Sequence, residues 1–299
     1  MKCIDIHNVS LRIGSTQILD SLSFSISSGT IHALIGDNGV GKTSLLRVIL
    51  GLTPSYEGNI VVDNSTKIES YRHHMGSVID SIVPDMKSTC SRYLHNVCYM
   101  LGTDDAAFES NLLEKVGLQH EGKKIISRFS LGMKRRLMIA CALASNPKFL
   151  VLDEPFNGID PKGMNEMRLL LRRLKSDGVT IFITSHIISE LLKIADVYSI
   201  MYNGTVVDTI SSTELSQRQM YKVVFTPKDT TSFVDMMKSQ HPELLCVASS
   251  DDTVSIYNMT TAKASTIGID ESNNIEQHSM SEEDILLWKM SGYQTKDFS

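Results

Sequence analysis

Residues 36–44 read GDNGVGKTS, and no other stretch constrains the chain as strongly. From Gly36 to Thr43 the segment matches G-x-x-x-x-G-K-[S/T], and Ser44 follows. Glycines at 36, 39 and 41 let the backbone curl without Cβ clashes. The successive N–H groups of Asp37, Asn38, Gly39, Val40 and Gly41 can then line an anion-binding concavity. The flanks suit this role. Ile31–Ile35 is an apolar run of strand type, and Lys42–Leu50 has helical character that ends before Gly51. Strand, loop and helix N-terminus together make a phosphate site, because the helix adds the positive end of its dipole. Lys42 is placed to reach the β- and γ-phosphates and the Thr43 hydroxyl to ligand Mg2+. The expected ligands are ATP and Mg2+.

A second apolar run, Phe149–Leu152, ends in Asp153 and Glu154. Alone it reads equally well as a strand ending in a solvated acidic turn. Downstream of a phosphate loop the other reading wins. A buried strand delivers Asp153 to the sheet end beside the loop, to hold Mg2+ directly or through water. Glu154 then polarises the attacking water as a general base.

The rest of the chain predicts how these pieces are carried. In the first 30 residues Leu22, Phe24 and Ile26 alternate with serines, as in half-buried strands. Helical spacing appears at Phe108, Leu112, Leu113 and Val116, and again from Leu137 to Leu143, so about 81–140 is expected to be a helical insertion. With Thr180–Thr184 as a further strand, alternating strands and helices predict a parallel α/β sheet. Asn203-Gly204 between two apolar runs is a hairpin signal. Past about 215 the motifs stop. Short strands at Tyr221–Phe225, Leu245–Ala248 and Val254–Tyr257 and a helix at Phe233–Ser239 predict an accessory α+β domain over 216–299. Ser281 followed by Glu282, Glu283 and Asp284 predicts a capping box opening a last helix through Met290.

Between the loop and the acidic strand lies Phe129-Ser130-Leu131-Gly132-Met133, followed by Lys134, Arg135 and Arg136. This resembles the signature motif of ABC ATPases. Asn157-Gly158-Ile159-Asp160-Pro161 resembles the family's D-loop, and Ser185-His186 its switch histidine. The elements stand in the family's order across residues 1–210. The segments SLGMKRRLMIACAL and TSHIISEL, with the tail from Met280 to Leu287, resemble the bacitracin-resistance and lantibiotic-immunity branch of ABC transporters.

The resemblance implies a fold and a mechanism. The fold is an α/β P-loop NTPase of the ABC type over residues 1–215, with an N-terminal antiparallel β subdomain, the helical insertion and the small C-terminal α+β appendage. Two such subunits pair head to tail, as a homodimer or a heterodimer. The loop of one faces Ser130, Leu131, Gly132 and Met133 of the other across the nucleotide. His186 contacts the γ-phosphate. The Q-loop slot is Asp80, a carboxylate for Mg2+ and the attacking water where the family has glutamine. The adenine-stacking slot is Ile13, which offers contact but no π system. A separate integral-membrane permease is implied, with the chain peripheral to it on the inner face of the cell membrane. By resemblance the cargo is an exported antimicrobial peptide or similar amphipathic compound. Ile13, Asp80 and Leu131 depart from the family pattern and keep open an alternative, a weakly hydrolysing ABC ATPase acting as a nucleotide-dependent regulator. Translation and repair ATPases fit less well. There is one cassette here, and residues 44–129 are too few for a long coiled coil.

Bulk properties agree. A net charge of −5 counts against a nucleic-acid partner, which is met mainly through phosphates. No apolar run approaches the ~18 residues of a membrane span. The first residues, MKCIDIHNVS, lack the apolar stretch of a signal peptide, so a cytoplasmic chain is expected. Five scattered cysteines form neither a disulfide framework nor a zinc site and are expected to be reduced thiols.

Overall fold

Alternation of apolar and polar residues builds the first layer. A computed structural model describes residues 2–53, 55–62, 71, 74–79, 85–227, 229–241, 244–249, 253–259, 264 and 275–291. β1 (Lys2–Ile13) and β2 (Thr16–Ser27) form an antiparallel hairpin, and β4 (Glu57–Val62) pairs with the other edge of β1. Ile4, Ile6, Leu22, Ile26, Ile60 and Val62 point to one face and are buried. Each buried side chain of this size is worth about 1.5–3 kcal/mol.

The second layer is a six-stranded sheet ordered β5-β6-β7-β3-β8-β9, made from β3 (Ile31–Ile35), β5 (Met75–Val78), β6 (Phe149–Asp153), β7 (Thr180–Thr184), β8 (Val197–Tyr202) and β9 (Thr205–Ser211). The first five strands in that order are parallel. All residues of β3, β6 and β7 are buried, which is why these segments read as continuous apolar runs. β9 follows β8 through Asn203-Gly204, both at positive φ. Helix α1 (Lys42–Ile49) sits in a core shared by the two sheets, with Leu45, Leu46, Val48 and Ile49 meeting Ile6, Leu22, Leu34, Val151 and Phe182.

The predicted insertion contains α2 (Cys90–Leu101) and α3 (Ala106–Lys115), and α4 (Leu131–Leu143) begins within it and runs past residue 140. Asp105 caps α3 by accepting the Phe108 N–H, and Gly102, at φ 71°, ends α2. Leu94, Cys98, Leu112, Leu113, Leu137 and Ala140 are buried. α5 (Pro161–Ser176) starts with proline at its first position and buries Met167, Leu170, Leu171 and Leu174 along one stripe. A short helix, α6 (Ile188–Leu191), follows β7.

The chain divides into two compact units between Thr209 and Ile210, against an expected boundary at 215. The second unit contains α7 (Ser212–Gln217), β10 (Tyr221–Phe225), α8 (Thr230–Gln240), β11 (Cys246–Ala248), β12 (Val254–Tyr257), β13 (Glu276–Ser279) and α9 (Glu282–Met290). Its antiparallel sheet is ordered β11-β12-β10-β13, the arrangement of a split β-α-β unit. Val223, Phe225, Met237, Leu244, Val254 and Ile256 form its core. The capping box at Ser281 is formed as its sequence predicts, with Asp284 returning the bond. Cys90, Cys98, Cys141 and Cys246 are free thiols and buried.

Candidate functional site

The phosphate loop leaves β3 at Gly36. A Cβ there would lie 2.6 Å from the Met201 carbonyl oxygen of neighbouring β8, so only glycine fits. Gly41 caps α1 at φ 107°, where a Cβ would meet the Ile18 carbonyl oxygen at 2.9 Å. No side chain caps α1, so the N–H groups of its first turn remain available to an anion. Asp37, Asn38 and Gly39 are exposed, Val40, Thr43 and Ser44 half-buried, and Lys42 buried. Lys42 Nζ donates to the Gly36 oxygen at 2.7 Å and the Asp37 oxygen at 3.0 Å, and lies 3.9 Å from Glu154 Oε1. Burial pulls the Lys42 ammonium below its ordinary range, and the charges of Glu154, Asp153 and Asp37 oppose that pull.

Strand β6 delivers Asp153 beside this loop. Thr43 Oγ1 donates to Asp153 Oδ2 at 2.7 Å, and Thr184 Oγ1 donates to Asp153 Oδ1. Asp153 is only 8% exposed, and a buried carboxylate needs such donors. A hydroxyl and a carboxylate on hard oxygen form the donor set that Mg2+ accepts, with water and phosphate oxygens filling the remaining positions. The residues fit that ion. Among the described residues no group of three or more His, Cys, Asp or Glu could hold a metal ion alone.

Glu154 adopts φ 46°, in the left-handed region, at a cost of about 1–2 kcal/mol for a non-glycine residue. Its N–H is held by the Thr184 carbonyl oxygen at 3.1 Å and by Thr184 Oγ1 at 3.2 Å. Oε2 accepts from His186 Nδ1 at 2.9 Å and from the His186 backbone N–H at 3.3 Å. Oε1 is buried and has no hydrogen-bond partner among the described residues. One carboxylate oxygen is thus tethered and the other lies beside Lys42 with its hydrogen-bonding capacity unused, which suits a proton acceptor. His186 itself stands at the surface and is not a packed core histidine.

The signature segment opens α4. Ser130 is its N-cap, and its Oγ accepts from the Met133 N–H at 3.2 Å. Leu131 is 44% exposed, while Gly132 is buried, facing Gly163 and Ile159. Among the described residues no hydrogen bond joins 130–133 to the loop 36–44 of the same chain. Ile13, at the end of β1, is 61% exposed. Asp80, the Q-loop slot, lies outside the described residues; β5 and Ile79 lead up to it.

Two residues near the carboxylates lie in segments the sequence analysis singles out, but their contacts with the carboxylates are visible only in the structure. Thr184 contacts both Asp153 and Glu154 because β7 pairs with β6 and sets Thr184 opposite Asp153, an adjacency no motif encodes. Arg135, on α4, is half-buried. Burial lowers its affinity for its proton, and the charges of Asp153 and Glu154 restore part of it.

Comparison with known proteins converges on one family. The ABC transporter family profile matches residues 19–157. The lantibiotic transport ATP-binding protein SrtF of Streptococcus pyogenes is 37% identical over 206 residues, covering 68% of this chain and 89% of that protein. The bacitracin transport ATP-binding protein BcrA of Enterococcus faecalis is 32% identical over 262 residues, covering 86% of this chain and 84% of that protein. BcrA of Bacillus licheniformis is 36% identical over 234 residues, covering 76% of each. Among solved structures, a nucleotide-free ATP-binding cassette from an ABC transporter superposes with a TM-score of 0.64 at 24% identity, covering 73% of this chain and 96% of that one. An ADP-bound cassette gives 0.65 at 23% identity, covering 72% and 93%.

Proposed function

Since this chain belongs to the ABC transporter family, as an ATP-binding subunit, we propose that it hydrolyses ATP to power export of an antimicrobial peptide or similar amphipathic compound through a separate permease. The observation that carries the hydrolytic part is Glu154. Oε1 lies beside Lys42 without a hydrogen-bond partner among the described residues, and Oε2 is tied to His186. The names of the similar proteins, lantibiotic and bacitracin transport subunits, support the cargo class.

In this reading residues 36–44 cradle the triphosphate on backbone N–H groups. Lys42 turns its ammonium from the Gly36 and Asp37 carbonyls towards the phosphates. Thr43 and Asp153 would hold Mg2+, with Asp80 as a further carboxylate donor, and the chemistry supplied there would be neutralisation of phosphate charge. Glu154 takes the proton of the attacking water at Oε1, and His186 fixes its orientation and faces the γ-phosphate. Ile13 lies against the adenine. Ser130, Leu131, Gly132 and Met133 of a second subunit complete the site, with Ser130 presenting the N-terminus of α4.

The permease is a separate chain in this account. Among the described residues no helix is long and apolar enough to cross a membrane. The end of α2 exposes Tyr99, Met100 and Leu101 at 68%, 76% and 49%, an apolar surface on the helical insertion suited to a hydrophobic partner. Residues 216–299 serve as an accessory domain.

Deleting this chain from its host and restoring it as wild type or Glu154→Gln tests the proposal. Wild type is expected to restore resistance to a peptide antibiotic and to copurify with a multi-span membrane protein, and Glu154→Gln to restore only the copurification. Unchanged resistance in the deletion strain to every bacitracin- or lantibiotic-class peptide contradicts the cargo assignment. Recovery with ribosomes or DNA contradicts the transport reading.

A further inference from the structure

We propose that Thr184 is a positioning residue that sets both carboxylates of the hydrolytic site through one hydroxyl. The inference rests on the ATPase reading above and assigns a role to a residue to which that reading gives none.

The hydroxyl has one proton to donate and lone pairs to accept with. Its two neighbours fix how these are used. The Glu154 backbone N–H can only donate, so it takes a lone pair, at 3.2 Å. The single proton is left for Asp153 Oδ1. The direction of the relay is therefore determined, N–H of Glu154 to Oγ1 of Thr184 to Oδ1 of Asp153. Thr184 is fully buried, so no water competes for either bond.

Each bond has a consequence at the site. With Oδ1 occupied, Asp153 presents Oδ2 to Thr43, the side on which the metal ion would bind. With its N–H held twice by Thr184, Glu154 keeps the left-handed backbone that turns its side chain towards Lys42 and His186. Thr184 lies opposite Asp153 in the β6–β7 register, and His186 follows two residues later. The hydroxyl thus ties the metal-side acid to the water-side acid at the end of the strand that leads to the histidine.

The test compares Thr184→Val, which keeps the shape and removes the hydroxyl, with Thr184→Ser, which keeps the hydroxyl. Two readouts are taken on the full chain: ADP affinity by calorimetry with Mg2+ and with EDTA, and Mg2+-dependent ATP turnover. The valine variant is expected to lose about tenfold in the affinity gained from Mg2+, with affinity in EDTA unchanged, and about tenfold or more in kcat. The serine variant is expected to stay within about twofold of wild type in both. A valine variant matching wild type in the Mg2+ increment overturns the proposal. So does equal loss in Mg2+ and EDTA, which marks a packing defect. The Glu154→Gln variant separates the two levels. If its turnover equals that of wild type, the base assignment fails while the Mg2+ readout still judges Thr184.

Discussion

Thr43 and Asp153 are 110 positions apart in the chain, yet Thr43 Oγ1 donates to Asp153 Oδ2 at 2.7 Å. Two motifs of the sequence meet in that bond. Asp153→Asn keeps the size and removes the charge, and its single amide oxygen can accept from only one of the two hydroxyls that Asp153 holds. Mg2+-dependent hydrolysis is expected to fall on the order of a hundredfold, the equivalent of several kcal/mol of lost charge stabilisation. ATP binding in EDTA is expected to persist. Filter binding with and without Mg2+ checks this, and equal Mg2+ dependence in both proteins would count against a metal role for Asp153.

Ile13 offers an exposed aliphatic surface where the family stacks an aromatic ring on adenine. Ile13→Tyr is expected to tighten ATP binding by several-fold, since an aromatic contact is worth about 0.5–1.5 kcal/mol beyond area burial. Titration with a fluorescent ATP analogue measures it. No gain, or a loss, would place the adenine elsewhere.

Sequence and structure differ in what each makes legible. The loop, both acidic positions, the hairpin at Asn203-Gly204 and the cap at Ser281 follow local rules of glycine geometry, patterning and capping, and they are visible in the text. The contacts of Thr184 and Arg135 are not, because they are set by strand order and helix packing. β5 is silent in the sequence for a related reason. Its four residues, Met75–Val78, include a glycine and a serine, so edge pairing with β6 and not apolar content makes the strand. β13 is silent too, since Glu276–Ser279 is wholly polar and exposed and is held by pairing with β10.

His32 gives a stability prediction with a definite sign. It is buried against Phe24 and Phe182, its Nε2 lies 2.8 Å from Ser199 Oγ, and burial pushes its pKa down to about 3. Between about pH 3 and 6.5 the unfolded chain protonates this residue and the folded chain does not, so stability falls as pH drops below about 6.5, by up to ~1.4 kcal/mol per pH unit. Urea unfolding at pH 7.5 and 5.5 measures the loss. His32→Gln, which cannot take up a proton, is expected to show a flatter dependence. An unchanged slope would assign the effect to other groups.

The end of α2 separates coupling from catalysis. Met100→Glu places a charge on the most exposed part of the apolar surface there. Copurification with the permease is expected to fall at least tenfold, as burying an unpaired charge costs several kcal/mol. ATP turnover of the isolated chain is expected to stay within about twofold, because a substitution at so exposed a position has little effect on the folded core. Retained association would move the permease contact elsewhere on the chain.

The account turns on Glu154, tied to His186 through one oxygen and placed beside Lys42, with no hydrogen bond among the described residues, through the other. The most direct measurement is phosphate release by purified wild type and Glu154→Gln under saturating Mg2+ and ATP, with ATP affinity measured in parallel. The account predicts turnover lowered on the order of 10²–10⁴-fold with affinity retained, since the general base is lost and the cradle is not. Equal turnover in the two proteins would contradict it.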